Sequence, residues 1–338
     1  MKKIVSLLLI LVMLALTVSC ASGTQSDKGA DASASYPITL KDQAGREVVI
    51  DQKPEKLVSG YYISTSALIA LGLEDKLVGI EAKAASRSIY KLSAPDIISL
   101  PSVGTAKEFD LEGCAALEPD LVILPIKLKS AVEQLEALGI TVLLVDPENT
   151  EKLFDMITLI SKATDTVARG EEILDYISSA KSDIETKVNS KSAPKVYLAG
   201  NSSFLSTAGK NMYQNDMITL AGGKNVASEI DDTYWAEVSY EQVLLWDPEY
   251  IILAADAKYS VDEILNDTAL SECTAVKKGN VYKLPNDAES WDSPVPAGFL
   301  GSVWVASVLH PDAVSESDAL SVINEFYENF YDFKYSEN

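Results

Sequence analysis

DLEGCAALEPDLVIL at residues 110–124 and SYEQVLLWDPEYIIL at residues 239–253 align without a gap. Glu112 matches Glu241, Pro119 matches Pro248, Ile123 matches Ile252 and Leu124 matches Leu253. Asp110 stands opposite Ser239, Glu118 opposite Asp247, and Asp120 opposite Glu249. Each copy reads as a capping residue, a short helix (111–118 in the first copy), a proline that closes it, and a buried strand. A unit of this kind occurring twice predicts two α/β lobes of similar build. Each would carry one glutamate in the first turn of a helix.

The flanking sequence repeats the alternation. Upstream, YPITLKDQAGREVVID reads as a hairpin. Next come a strand at 56–62, a helix at 64–73 capped by Ser64, and a strand at 77–81. Downstream of the first copy, a helix near 129–138 ends at Gly139, and ITVLLVD is another strand. From Asp165 to about Asn189 one apolar stripe runs through Val167, Ile173, Leu174, Ile177, Ala180, Ile184 and Val188, with Asp165 as its expected cap. That helix would span about 35 Å, enough to cross between lobes. The alternation then resumes with KVYLAG at 195–200. The fold expected is α/β: two similar lobes with mainly parallel sheets, 37–163 and 191–338, joined by a bridging helix at 164–190.

A chain of 338 residues, 47% of them hydrophobic, suits two such cores. Residues 1–19 stand apart: Lys2 and Lys3, an apolar run from Ile4 to Val18, then small residues up to Cys20, the pattern of a signal peptide. LTVSC resembles a bacterial lipobox, which makes Cys20 the expected site of lipid attachment; Thr17 departs from its usual Leu or Val. Residues 20–36 are small and polar and read as a flexible tether. The expected location is extracytoplasmic, anchored to the cell membrane by lipid. The net charge of −22 argues against nucleic acid as a partner. Cys114 and Cys273 are expected as separate buried thiols rather than a bridge that would lock the lobes.

STSALIALGLEDKLVGI, SVGTAKEFDLEGCAALEPDLVIL, LEALGITVLLVD, LAGGKNV, AVKKGNVYKLP and the closing WDSPVPAGF loop with LHPD occur in this order across nearly the whole chain after the tether. Together they resemble the substrate-binding proteins of bacterial ABC importers for iron–siderophore complexes and cobalamin. The resemblance implies two lobes on one rigid helix, ligand in the cleft between them, and small lobe movements. It implies no catalysis and no resident cofactor. The partners implied are a permease dimer with its cytoplasmic ATPase, and a monomeric receptor is expected.

By the same resemblance, Glu112 and Glu241 would dock onto the permease, one from each lobe; a first-turn carboxylate also stabilises its own helix. Ligand contacts are expected from loops at the C-terminal ends of the strands. In the first lobe these loops carry Tyr61, Tyr62, Arg87, Tyr90, Phe109 and Lys127. In the second they carry Phe204, Tyr213, Trp235, Tyr259 and Trp291. Aromatic side chains give a chelate a large rigid contact surface. Arg87, one of three arginines with Arg46 and Arg169, could grip a carboxylate or catecholate, or could simply be a solvated surface residue. His310 is the only histidine and has an expected structural role, so no direct metal site is expected. The cargo expected is a metal chelate, foremost a ferric siderophore. The alternatives are cobalamin or cobinamide, to which Trp235 points, and haem, for which Met212 is the one axial candidate. From other classes, an extracellular enzyme or a surface adhesin or sensor on the same scaffold stays open.

Overall fold

The computed structural model describes residues 35–231, 233 and 235–335. The signal segment, Cys20 and nearly all of the tether lie outside the described residues. Among the described residues no helix is long and apolar enough to cross a membrane. An antiparallel hairpin of β1 (Ile38–Lys41) and β2 (Glu47–Ile50) comes first. The first sheet holds β3 (Leu57–Ser59), β4 (Leu77–Ile80), β5 (Leu121–Pro125) and β6 (Thr141–Val145), all parallel, in the order β4-β3-β5-β6.

The second sheet comprises β7 (Lys195–Ala199), β8 (Ser206–Ala208), β9 (Lys224–Asn225), β10 (Trp235–Glu237), β11 (Tyr250–Leu253) and β12 (Val281–Lys283). Its order is β10-β8-β7-β11-β12, with β9 also on β7. β7, β9, β11 and β12 run parallel to one another, whereas β8 pairs antiparallel with both β7 and β10. The mainly parallel expectation therefore holds throughout the first sheet and only in part of the second. β8 and β10 are too short to show the alternation that marks a strand in sequence.

Alternate residues along each strand face opposite sides, and here both sides are apolar. Val58, Val122, Leu124, Val142 and Leu144 pack in a core confined to the first lobe. Tyr197, Ala199, Ile251, Leu253 and Val281 do the same in the second. The intervening residues Leu57, Leu121, Ile123, Leu143, Val196, Leu198 and Ile252 all enter one continuous core shared by both halves. Ile173, Ile177, Ile184 and Val188 of the bridging helix belong to it, as do Phe299, Val303, Phe326 and Tyr331 of the last two helices.

The bridging helix covers Val167–Val188, 22 residues and so about 33 Å. Gly170 lies against Ser161, where a Cβ would come within 2.7 Å of that side chain. At the far end Val188 abuts Gly222 of the second lobe. Asp165 does not cap this helix. It takes a left-handed φ of 59° and pairs with Lys53 at 3.1 Å, leaving Thr166 at the N-cap without a side-chain capping bond. Ser64 is likewise no cap. The first-lobe helix starts earlier, at Tyr62–Ala70, and Ser64 donates back to the Tyr61 carbonyl at 2.8 Å.

The repeated segment is one local structure built twice. The Asp110 and Ser239 side chains accept from the backbone N–H groups of Gly113 and Gln242, capping helices Leu111–Ala116 and Tyr240–Trp246. Glu118 and Asp247 then turn left-handed, with φ of 49° and 45°, before the aligned prolines. Asp120 accepts from Lys56 N–H at 2.8 Å and Glu249 from Lys195 N–H at 3.1 Å, so in each copy a carboxylate anchors the start of the neighbouring strand. Cys114 and Cys273 are both buried and free.

Candidate functional site

β3 ends at Ser59, and the chain turns through Gly60 into Tyr61 and Tyr62. Gly60 is confined: a Cβ there would meet Leu124 at 2.6 Å, and Phe109 lies 3.6 Å away. Phe109 thus lies against the turn, and the rings of Tyr61 and Tyr62 just after it meet edge to face with centroids 5.2 Å apart. Both phenols are partly buried, which raises their pKa values and keeps them as neutral donors. Lys127, two residues beyond β5, is exposed near the same end of the sheet.

Arg87 belongs to this group. Its Nε donates to Glu81 Oε1 at 3.0 Å, and its guanidinium carbon lies 4.2 Å from the centroid of the Tyr62 ring. Glu81, 5% exposed just past β4, also accepts from Tyr90 OH and Thr65 Oγ1, both at 2.7 Å. Three donors thus satisfy a buried carboxylate, and the carboxylate fixes the arginine. A guanidinium held through Nε and one face still has two terminal NH2 groups for an anionic oxygen. Glu81 was missed in the sequence; its signal was a carboxylate directly after the buried run LVGI.

In the second lobe, Trp235 is 38% exposed and lies 3.0 Å from the Cβ position of Gly200, at the end of β7. Tyr259 donates to the Gly200 carbonyl at 2.5 Å. Two groups therefore form at strand ends: Tyr61, Tyr62, Arg87, Phe109 and Lys127 in the first lobe, Trp235 and Tyr259 in the second. Tyr62 OH reaches Ser293 Oγ at 3.5 Å, and Thr150 Oγ1 reaches Asp216 Oδ2 at 3.2 Å, so both pairs bridge the two lobes.

Four proposed contact residues lie elsewhere. Tyr90 is fully buried behind Arg87; its hydroxyl donates to Glu81 at 2.7 Å and reaches the Tyr62 carbonyl at 3.5 Å. Phe204 stacks on Tyr240 within the second-lobe core. Trp291 has no exposure; its Nε1 donates to Tyr327 OH at 2.8 Å. Tyr213 is buried and borders a groove of about 820 Å³ along the bridging helix, together with Phe154, Lys181 and Phe299. Local sequence cannot separate such core aromatics from exposed ones, because both follow buried strands in polar loops. His310 is buried, with Nε2 3.2 Å from the Gly222 carbonyl, in keeping with a structural role. Met212 is also buried.

Glu112 and Glu241 are exposed in the first turns of their helices. The Ser239 hydroxyl, and then the backbone N–H of Glu241 itself, hold the Glu241 carboxyl below its ordinary pKa.

Residues 57–288 match the family model described as periplasmic binding protein, and the chain belongs to that family. It is thus a solute-binding component of an ABC importer, as the relatives it matches are substrate-binding proteins. The molybdate-binding protein MolA of Haemophilus influenzae is 25% identical, over 88% of this chain and 91% of its own length. The Fe(3+)-citrate-binding protein YfmC of Bacillus subtilis is 27% identical, over 86% and 91%. A crystal structure of a periplasmic solute-binding protein from Veillonella parvula superposes with a TM-score of 0.77 at 26% identity, covering 89% of this chain and 94% of that one.

Proposed function

We propose that this receptor captures a ferric chelate, foremost an iron–siderophore complex, at the mouth formed by Tyr61, Tyr62, Arg87, Phe109, Lys127, Trp235 and Tyr259. The observation that carries this reading is the Arg87 arrangement. Its Nε is committed to Glu81 and one face to Tyr62, so its terminal N–H groups are pre-oriented for an anionic chelate oxygen. The aromatic rings around it suit the bulk of a siderophore. The similarity to a ferric citrate receptor supports the same class. A second reading, cobalamin or cobinamide, draws on the exposed Trp235 and on the offset of the Arg87 charge by Glu81.

Glu112 and Glu241 supply one exposed carboxylate per lobe for docking to arginines of the permease, and Cys20 carries the lipid that keeps the receptor at the membrane. Tryptophan fluorescence titrated with ferric siderophores, ferric citrate, cobalamin, haem and molybdate tests the ligand. Saturable quenching by a ferric chelate, weakened roughly tenfold or more in Arg87→Ala, is the expected result. Quenching by molybdate or cobalamin alone would replace it. For docking, Glu112→Ala and Glu241→Ala should abolish most uptake while ligand affinity stays at the parent value; unchanged uptake removes the assignment.

A further inference from the structure

The loop that follows β12 carries two buried carboxyl groups, Glu289 and Asp292. It runs where the lobes meet. Tyr62 of the first lobe bonds Ser293 in this loop, and Ser66, one helical turn on, lies 2.9 Å from Tyr331 OH in the last helix. Glu289 sits among these groups. Its Oε2 is buried without a hydrogen-bond partner among the described residues. The ionisable groups around it are Tyr62 and Arg87 from the first lobe and Tyr327 and Tyr331 from the last helix. All three tyrosines are raised by burial and stay neutral, so Arg87, already bonded to Glu81, is the one charge that favours an ionised Glu289. Asp292, on the same loop, has a backbone donor from Ala255 at 3.3 Å.

We propose that Glu289 makes the junction between the lobes proton-linked: the junction packs around a neutral carboxyl, and ionisation loosens it. A buried carboxylate oxygen with no donor is costly when charged and tolerable when protonated. Burial raises Glu289 to about 7, against the opposing pull of the Ser66 hydroxyl and the Arg87 charge. Once the junction opens, the group returns to an ordinary carboxyl near 4.3. Between these values the intact junction holds a proton that the opened one releases. Its stability is therefore full at the acidic end, falls as pH rises towards 7, and levels off above. Asp292, raised to about 6 mainly by burial and further by Asp256, adds a smaller contribution of the same sign. A bearing on ligand grip rests on the receptor reading above; the junction itself can be tested without ligand.

Hydrogen exchange of the Tyr62–Ala70 helix in the ligand-free full chain, corrected for intrinsic rates, reads the junction directly. The parent should open at least about tenfold more readily at pH 8 than at pH 5.5. Glu289→Gln, neutral at every pH, should remove most of that dependence, and Asp292→Asn should leave most of it. A parent with no dependence, or a Glu289→Gln chain with the parent profile, overturns the proposal. If Glu289→Gln does not fold, Ser66→Ala decides: losing the hydroxyl that favours the charged form should move the midpoint to higher pH, and an unmoved midpoint is fatal. A chain that bound no chelate would sink the functional reading and leave this pH dependence standing.

Discussion

The two copies of the repeated segment share their joints and differ in what surrounds them. In both, a capped helix ends in a left-handed residue, and a carboxylate anchors the adjacent strand. Around the first copy the sheet is wholly parallel, and the loops at its mouth carry the Arg87–Glu81 pair. Around the second, β8 and β10 extend the sheet through antiparallel pairings, and Trp235 on β10 is exposed. The lesson is a division of labour. Both copies share the backbone geometry that places one exposed glutamate per lobe, while the loops at the strand ends differ: Arg87 and Lys127 join aromatic rings in the first, and Trp235 and Tyr259 stand in the second.

That comparison can be broken at matched positions, with urea unfolding as the measurement. Asp120→Ala should cost most, about 2 kcal/mol, because its carboxylate holds the N–H groups of both Glu55 and Lys56. Glu249→Ala removes one such bond and should cost about 1 kcal/mol. The left-handed positions should split in sign. Asp247→Gly relieves backbone strain but loses the Thr274 N–H and hydroxyl bonds at 2.8 and 2.9 Å, for a net loss near 1 kcal/mol. Glu118→Gly relieves the same strain, and its side chain reaches only an exposed Lys56 at 3.9 Å, so a gain of about 0.5 kcal/mol is expected. Equal effects at Asp247 and Glu118 would mean that the copies are energetically interchangeable. The smallest effect concerns titration: Ser239→Ala should raise the pKa of Glu241, followed by NMR.

Much of this was readable from residues alone, for physical reasons. The bridging helix announced itself by a stripe at helical spacing, and β5 and β11 by apolar runs after a proline. β8 and β10 were not legible, because strands of three residues show no period and owe their pairing to neighbours distant in sequence. At the mouth, Arg87 stood out by its rarity, whereas Glu81 could only be found once three donors were seen converging on it. Trp291 and Phe204 show the converse limit. Their loops looked like cleft loops, and only packing showed the rings turned inward.

The apolar core common to both sheets has a further consequence. Neither half has a complete interior without the other, since the inward faces of β3, β5, β7 and β11 all belong to one continuous core. The molecule should melt in one calorimetric transition, despite its two sheets. Severed at the bridging helix, either fragment would expose a broad greasy surface and precipitate rather than fold.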